Sequence, residues 1–160
     1  MPAMIDAEIS SRLLELGIEL PPPPNPVAAY VPVVVSGSTA YVAGQVPMVE
    51  GKPLHPGHLG AGVTIDEGVA AARQAALQAL SALRAALGSF DRLVRISQVT
   101  VYIATAPEFV EHPKVANGAS ELLVQVLGEA GPHARAAVGM ASLPLGACVE
   151  VQVTAEVTTG

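Results

Sequence analysis

Apolar residues recur three or four apart at Ile5, Ile9, Leu13 and Leu16, with Gly17 directly after, a pattern that predicts a short amphipathic helix over 5–17. The four prolines at 21–24 and Asn25 fit neither a helix nor a central strand and predict a stiff extended connector. Two β-branched runs follow, YVPVVVS (30–36) and TAYVAGQVP (39–47). The Ser-Gly-Ser signal between them predicts a hairpin, and Pro32 confines its first strand to an edge or a bulge. The Gly/Pro-rich stretch 48–63 reads as loop. Residues 66–87 form the clearest helix pattern: Thr64 and Glu67 have capping-box spacing, and Gly88 marks the stop. Its polar residues Arg73, Gln74, Gln78, Ser81 and Arg84 gather in one stripe beside a broad Ala/Leu face. Residues 93–105 alternate as a strand, and 107–128 carry a second long helix pattern entered late, near Pro113. Residues 134–154 read as two strands joined by SLPLGA into a closing hairpin, apolar on both sides.

The order helix, β, β, α, β, α, β, β predicts an α+β fold, with both main helices covering one face of a single mixed sheet. A second sheet face that is also apolar has to be buried against something, and copies of the same chain are the simplest solution. The expected division is 1–25, helix and Pro-rich connector, and 26–160, the body.

Composition narrows the possible functions. The net charge is −6, with eight Lys plus Arg and five aromatic residues in 160. Phosphate-binding charge and base-stacking platforms are therefore both scarce, and no nucleic-acid partner is expected. No apolar run approaches the ~18 residues of a membrane span, and the first twenty residues lack a signal-peptide pattern, so a cytoplasmic protein is expected. The lone Cys148 reads as a small buried hydrophobe. His55 and His58 have ligand-like spacing but no acidic or thiol companion nearby in sequence, so no metal and no cofactor are expected.

What remains is one cation and one anion in the apolar tail, Arg135 and Glu150. They could lie on neighbouring strands and neutralise each other. Alternatively, Arg135 could grip a substrate carboxylate with its planar fork while Glu150 handles water or a proton.

The tail ARAAVGMASLPLGACVEVQVTAEV, with Tyr30 in AAYVP, AGQVP at 43–47 and Asn117 in VANGASELL, resembles the RidA/YjgF family of reactive-intermediate deaminases, also called endoribonuclease L-PSP. The resemblance covers about residues 26–157. It implies a chorismate-mutase-like (bacillar) fold, a homotrimer with the sheets facing the centre, and small carboxylate ligands in clefts between subunits. It also implies that Arg135 holds the carboxylate of an enamine or imine acid such as 2-aminoacrylate and that Glu150 places the attacking water. Tyr30 (from the neighbouring subunit), Gly44 and Asn117 would line the cleft, with Ala137 standing where the family commonly has cysteine. The implied activity is cofactor-free hydrolysis to a 2-oxo acid and ammonia; a non-catalytic carboxylate-binding trimer is the alternative, and ribonuclease activity is the less supported one.

Overall fold

A computed structural model describes residues 5–25 and 29–160; the junction between connector and body touches 26–28, outside the described residues. Helix α1 spans Ile5–Leu16, α2 Ile65–Leu87 and α3 His112–Leu127. The strands are β1 (Val33–Ser36), β2 (Thr39–Gln45), β3 (Leu93–Ala104), β4 (Ala134–Met140) and β5 (Val149–Val157). They form one mixed sheet in the order β1-β2-β5-β3-β4, in which only β3 and β4 run parallel. As Pro32 requires, β1 is an edge strand. The stretch 48–63 is not wholly loop: two short ladders, 48–49 with 52–53 and 58–59 with 62–63, cross it.

The closing hairpin does not form. Helix α3 carries the chain back over the sheet, so β4 docks parallel to β3 at the outer edge. After the turn at 142–147, β5 enters between β2 and β3 and pairs antiparallel with both. Two ladders satisfy its backbone, where a hairpin with β4 would supply one. Nor is β5 apolar on both sides. Val149, Val151, Val153, Ala155 and Val157 are buried, while Glu150, Gln152, Thr154 and Glu156 occupy the other face. Helix α2 packs against β1, β2 and β5, and α3 against β3 and β4.

Helix α2 begins as its sequence dictates. Thr64 Oγ1 accepts from the Glu67 amide at 3.2 Å, and Glu67 Oε1 accepts from the Thr64 amide at 3.0 Å. Its polar stripe is not a solvated face, because Gln78 and Ser81 are buried. Gln78 Oε1 accepts from the Met48 amide at 2.7 Å and its Nε2 donates to the Val46 carbonyl at 2.7 Å, tying the segment after β2 to the helix. Ser81 donates to the Pro21 carbonyl and fastens the connector. Side-chain hydrogen bonds thus hold backbone that lies outside the main sheet.

Helix α1 is part of the same core through Ile9 and Leu13. Asp6 takes a two-pronged contact from Arg84, Nε and Nη2 each at 3.1 Å, and accepts from the Phe90 amide at 2.8 Å. The Arg84 contact, followed by the Phe90 amide, holds the Asp6 carboxyl below its ordinary value against the opposing effect of burial. Arg12 donates to the Val126 carbonyl near the end of α3. Among the described residues no helix is long and apolar enough to cross a membrane.

Small residues set the spacing between α2 and α3. Ala71, Ala72, Ala75, Ala76 and Ala79 are buried in α2. In α3, a Cβ placed on Gly118 would stand 2.2 Å from the Val69 carbonyl oxygen of α2. Backbone cannot step aside as a side-chain tip can. Helix propensity favours Gly118→Ala by about 1 kcal/mol, but overpacking opposes it by about 1–3 kcal/mol. The contact is close enough that overpacking should win, and urea denaturation should show a net loss of stability. An increase would mean that the helices can separate freely.

Candidate functional site

The sheet places Arg135 and Glu150 on opposite faces. Arg135 lies beside the buried Val99 of β3, and Glu150 beside Tyr102. Those positions are three apart on a strand whose pairing with β5 is uninterrupted from Gln98 to Ile103, so their neighbours face opposite ways. Strand β3 also stands between β4 and β5. The alternative in which the two charges sit on neighbouring strands and neutralise each other is therefore overturned, and Arg135 is exposed on an edge strand.

Arg135 leans towards α3. Its Nη1 donates to Asn117 Oδ1 at 2.8 Å and to Ser120 Oγ at 3.2 Å. Both partners are neutral, and among the described residues no carboxylate forms an ion pair with this guanidinium. Both contacts come from one terminal nitrogen, so the Nε/Nη2 edge, the one suited to a two-pronged grip on a carboxylate, makes no hydrogen bond among the described residues. Ala137 and Gly139 continue the same side of β4. A Cβ on Gly139 would fall 2.6 Å from the His112 Nε2 tip, so that ring would have to shift.

Glu150 belongs to a second group. Strand β2 carries one extra residue between Val42 and Gln45, a bulge that contains Ala43 and Gly44. A Cβ on Gly44 would meet Glu150 Oε1 at 2.5 Å, so glycine is what lets the carboxyl lie against the β2 backbone. Burial without a cation raises the Glu150 carboxyl above its ordinary 4.5. Gly44 and Tyr30 both line a cavity of about 210 Å³ that also includes Asn25, Gln45, Gln78 and Leu145. Leu145 is 69% exposed and held at φ 62°, left-handed backbone that leucine rarely adopts.

The six residues singled out from the sequence thus fall into two groups: Arg135, Asn117 and Ala137 beside α3, and Tyr30, Gly44 and Glu150 around the β2 bulge. Sequence reasoning missed Ser120, whose place one turn after Asn117 on α3 was the available signal. His133, two residues before Arg135, carries no sequence signal that would single it out. His55 does have an acidic neighbour: its Nδ1 lies 3.2 Å from Glu67 Oε2, across the capping box. His58 Nε2 meets the Ala141 carbonyl at 2.8 Å. Among the described residues no three His, Cys, Asp or Glu side chains gather as a metal set. Cys148 is fully buried just before β5, and desolvation pushes its thiol up to about 11.

Two outcomes follow. Cys148 should resist alkylation in the native chain at pH 8 and react only on unfolding; rapid native labelling, read by mass, would contradict its burial. For Glu150, the folded carboxyl ionises at higher pH than the unfolded one. The isolated fold therefore loses stability as pH rises from 4.5 to the raised folded value, and recovers none above it. Glu150→Gln should consequently melt at or above the parent temperature at pH 7, with the difference shrinking towards pH 4. A large loss at pH 7 would show that the charge has a partner.

Comparison with known proteins places this architecture. The family model described as "YjgF/chorismate_mutase-like, putative endoribonuclease" matches residues 10–157, which includes much of α1. Protein TCP17 of Trypanosoma cruzi is 44% identical over 157 residues, covering 98% of each chain. Atu1372 of Agrobacterium tumefaciens, a structure described as of unknown function, is 43% identical with a TM-score of 0.87, covering 96% of this chain and 94% of its own. RidA from the Antarctic bacterium Psychrobacter sp. PAMC 21119 is 26% identical with a TM-score of 0.55, covering 84% of this chain and 94% of its own. A family match over nearly the whole chain, together with relatives above 40% identity, leaves one assignment: the chain belongs to the RidA/YjgF family.

Proposed function

We propose that the protein is a cofactor-free hydrolytic deaminase of small enamine and imine acids of the 2-aminoacrylate type, acting as a homotrimer. The observation that carries this reading is the Arg135 guanidinium, exposed at a sheet edge and held by two neutral acceptors, with a two-donor edge free of hydrogen bonds among the described residues. Such a group suits a small carboxylate better than a structural ion pair.

An imine acid is already electrophilic at C2, so positioning and one proton relay suffice. Arg135 holds the carboxylate. Water adds to the imine carbon as Glu150 takes one of its protons and returns it to the nitrogen, giving a carbinolamine. The hydroxyl proton then passes by way of Glu150 to the same nitrogen as the C–N bond breaks and the C=O forms, and a 2-oxo acid and ammonia leave. A carboxyl raised above its ordinary value is better matched to that exchange near neutral pH than an ordinary one.

Because Arg135 and Glu150 occupy opposite faces of one chain, both reach a single ligand when the Arg135–Asn117 group of one subunit meets the Glu150–Gly44–Tyr30 group of the next. Val34, Tyr41 and Val138, exposed on the sheet face opposite α2 and α3, supply apolar surface for such an assembly.

Arg135→Lys keeps the charge but loses the fork. It should weaken binding of 2-oxopropanoate by about 1–3 kcal/mol, measured by calorimetry. Glu150→Gln should leave that affinity nearly unchanged and slow ammonia release from freshly generated 2-aminoacrylate by roughly 10²-fold or more. Gly44→Ala should act like Glu150→Gln, by displacing the carboxyl. Binding without ammonia release would instead favour a carboxylate sensor. A monomer by light scattering at micromolar concentration would remove the intersubunit site.

A further inference from the structure

Behind Arg135 lies a chain of hydrogen bonds that ends on backbone. His133 Nδ1 is 2.6 Å from the Gly131 carbonyl oxygen, and His133 Nε2 is 2.9 Å from Ser120 Oγ. Ser120 Oγ is in turn 3.2 Å from Arg135 Nη1. A carbonyl can only accept, so Nδ1 carries the hydrogen, and in the neutral ring Nε2 is an acceptor. The Ser120 hydroxyl hydrogen then points at the imidazole, which leaves its lone pairs towards the guanidinium. Each link thus orients the next: carbonyl, imidazole, hydroxyl, guanidinium.

The foundation is rigid. Gly131 closes the turn after α3, its amide donating to the Gly128 carbonyl at 3.0 Å. A Cβ on Gly131 would stand 2.7 Å from both the Leu123 carbonyl oxygen and Val124 Cα, so the chain rests directly on the helix. Ser120 sits one turn beyond Asn117, and the two side chains hold Nη1 from adjacent turns of α3.

We infer that Ser120 and His133 are positioning residues that lock the Arg135 guanidinium in the orientation that presents its Nε/Nη2 edge to the ligand carboxylate. The inference rests on the carboxylate-binding reading of Arg135. An arginine on an exposed edge strand otherwise loses rotamer freedom each time it binds, and prior fixing lowers that cost.

The test uses the full chain and 2-oxopropanoate. Ser120→Ala and His133→Phe should each raise its Kd about three- to tenfold, the worth of one neutral hydrogen bond. Ser120→Thr, which keeps the hydroxyl, should return Kd to within about twofold of the parent. His133→Gln, which offers an amide oxygen in place of Nε2, should recover part of the loss. A merely structural role would lower melting temperature in these variants and leave Kd, measured well below melting, unchanged. If Arg135→Lys weakens binding while Ser120→Ala and His133→Phe do not, the relay is wrong and the ligand reading stands. If Arg135→Lys has no effect either, the ligand reading itself fails. One measurement needs no variant: nitrogen-15 spectra of the parent at pH 8 should show His133 protonated at Nδ1 and bare at Nε2. The opposite tautomer overturns the relay even if a variant does not fold.

Discussion

The constraint on which the rest depends is the closeness of α3 to α2. Gly118 presses its Cα towards the Val69 carbonyl, and a file of buried alanines lets α2 lie close to the sheet. That spacing puts Asn117 and Ser120 within hydrogen-bond reach of an arginine on an edge strand, which local strand pairing alone could not orient. Packing sets the distances, and hydrogen bonds then use them. A core built on small residues also explains how so few aromatics suffice: close backbone approach replaces the area that large rings would bury.

The second organising fact is electrostatic. One sheet carries a cation on the helix side of its edge and an acid on the opposite face, with β3 between them. Neither charge satisfies the other. Arg135 is fixed by dipoles, which leave its charge intact, and Glu150 is desolvated over a glycine, which raises its proton affinity. Separating the charges preserves the chemistry of each; a direct pair would hold the arginine to one partner and pull the carboxyl down.

Much of this was legible in the residues and some was not. The capping box, the edge position of β1 and the alternation of β3 rest on local spacing, and local spacing is what a sequence displays. The final hairpin was misread because SLPLGA looks like a tight connection between two apolar strands. Strand partners, though, are chosen by distant segments, and β5 takes its two ladders from β2 and β3. VEVQVTAEV does alternate, and reading its period to the end would have shown one polar face. Arg135 and Glu150 stood out as lone charges in an apolar tail, but their placement on opposite faces depends on register three strands wide. Ser120 and His133 were invisible as a pair, since nothing in the chain says that α3 and the segment before β4 meet.

Helix α1 has a mechanical meaning that its position at the start of the chain conceals. Asp6 ties its first turn to α2 and to the turn at Phe90, and Arg12 grips the Val126 carbonyl just before the turn that carries Gly131. A Cβ on Gly128 would strike the Arg12 guanidinium, so the fit there is tight. The helix is a clamp over the end of α3, and the same end supplies the backbone on which His133 rests. A handle, fusion or cleavage that peels away residues 5–13 would thus act on the surroundings of Arg135 without touching any residue there.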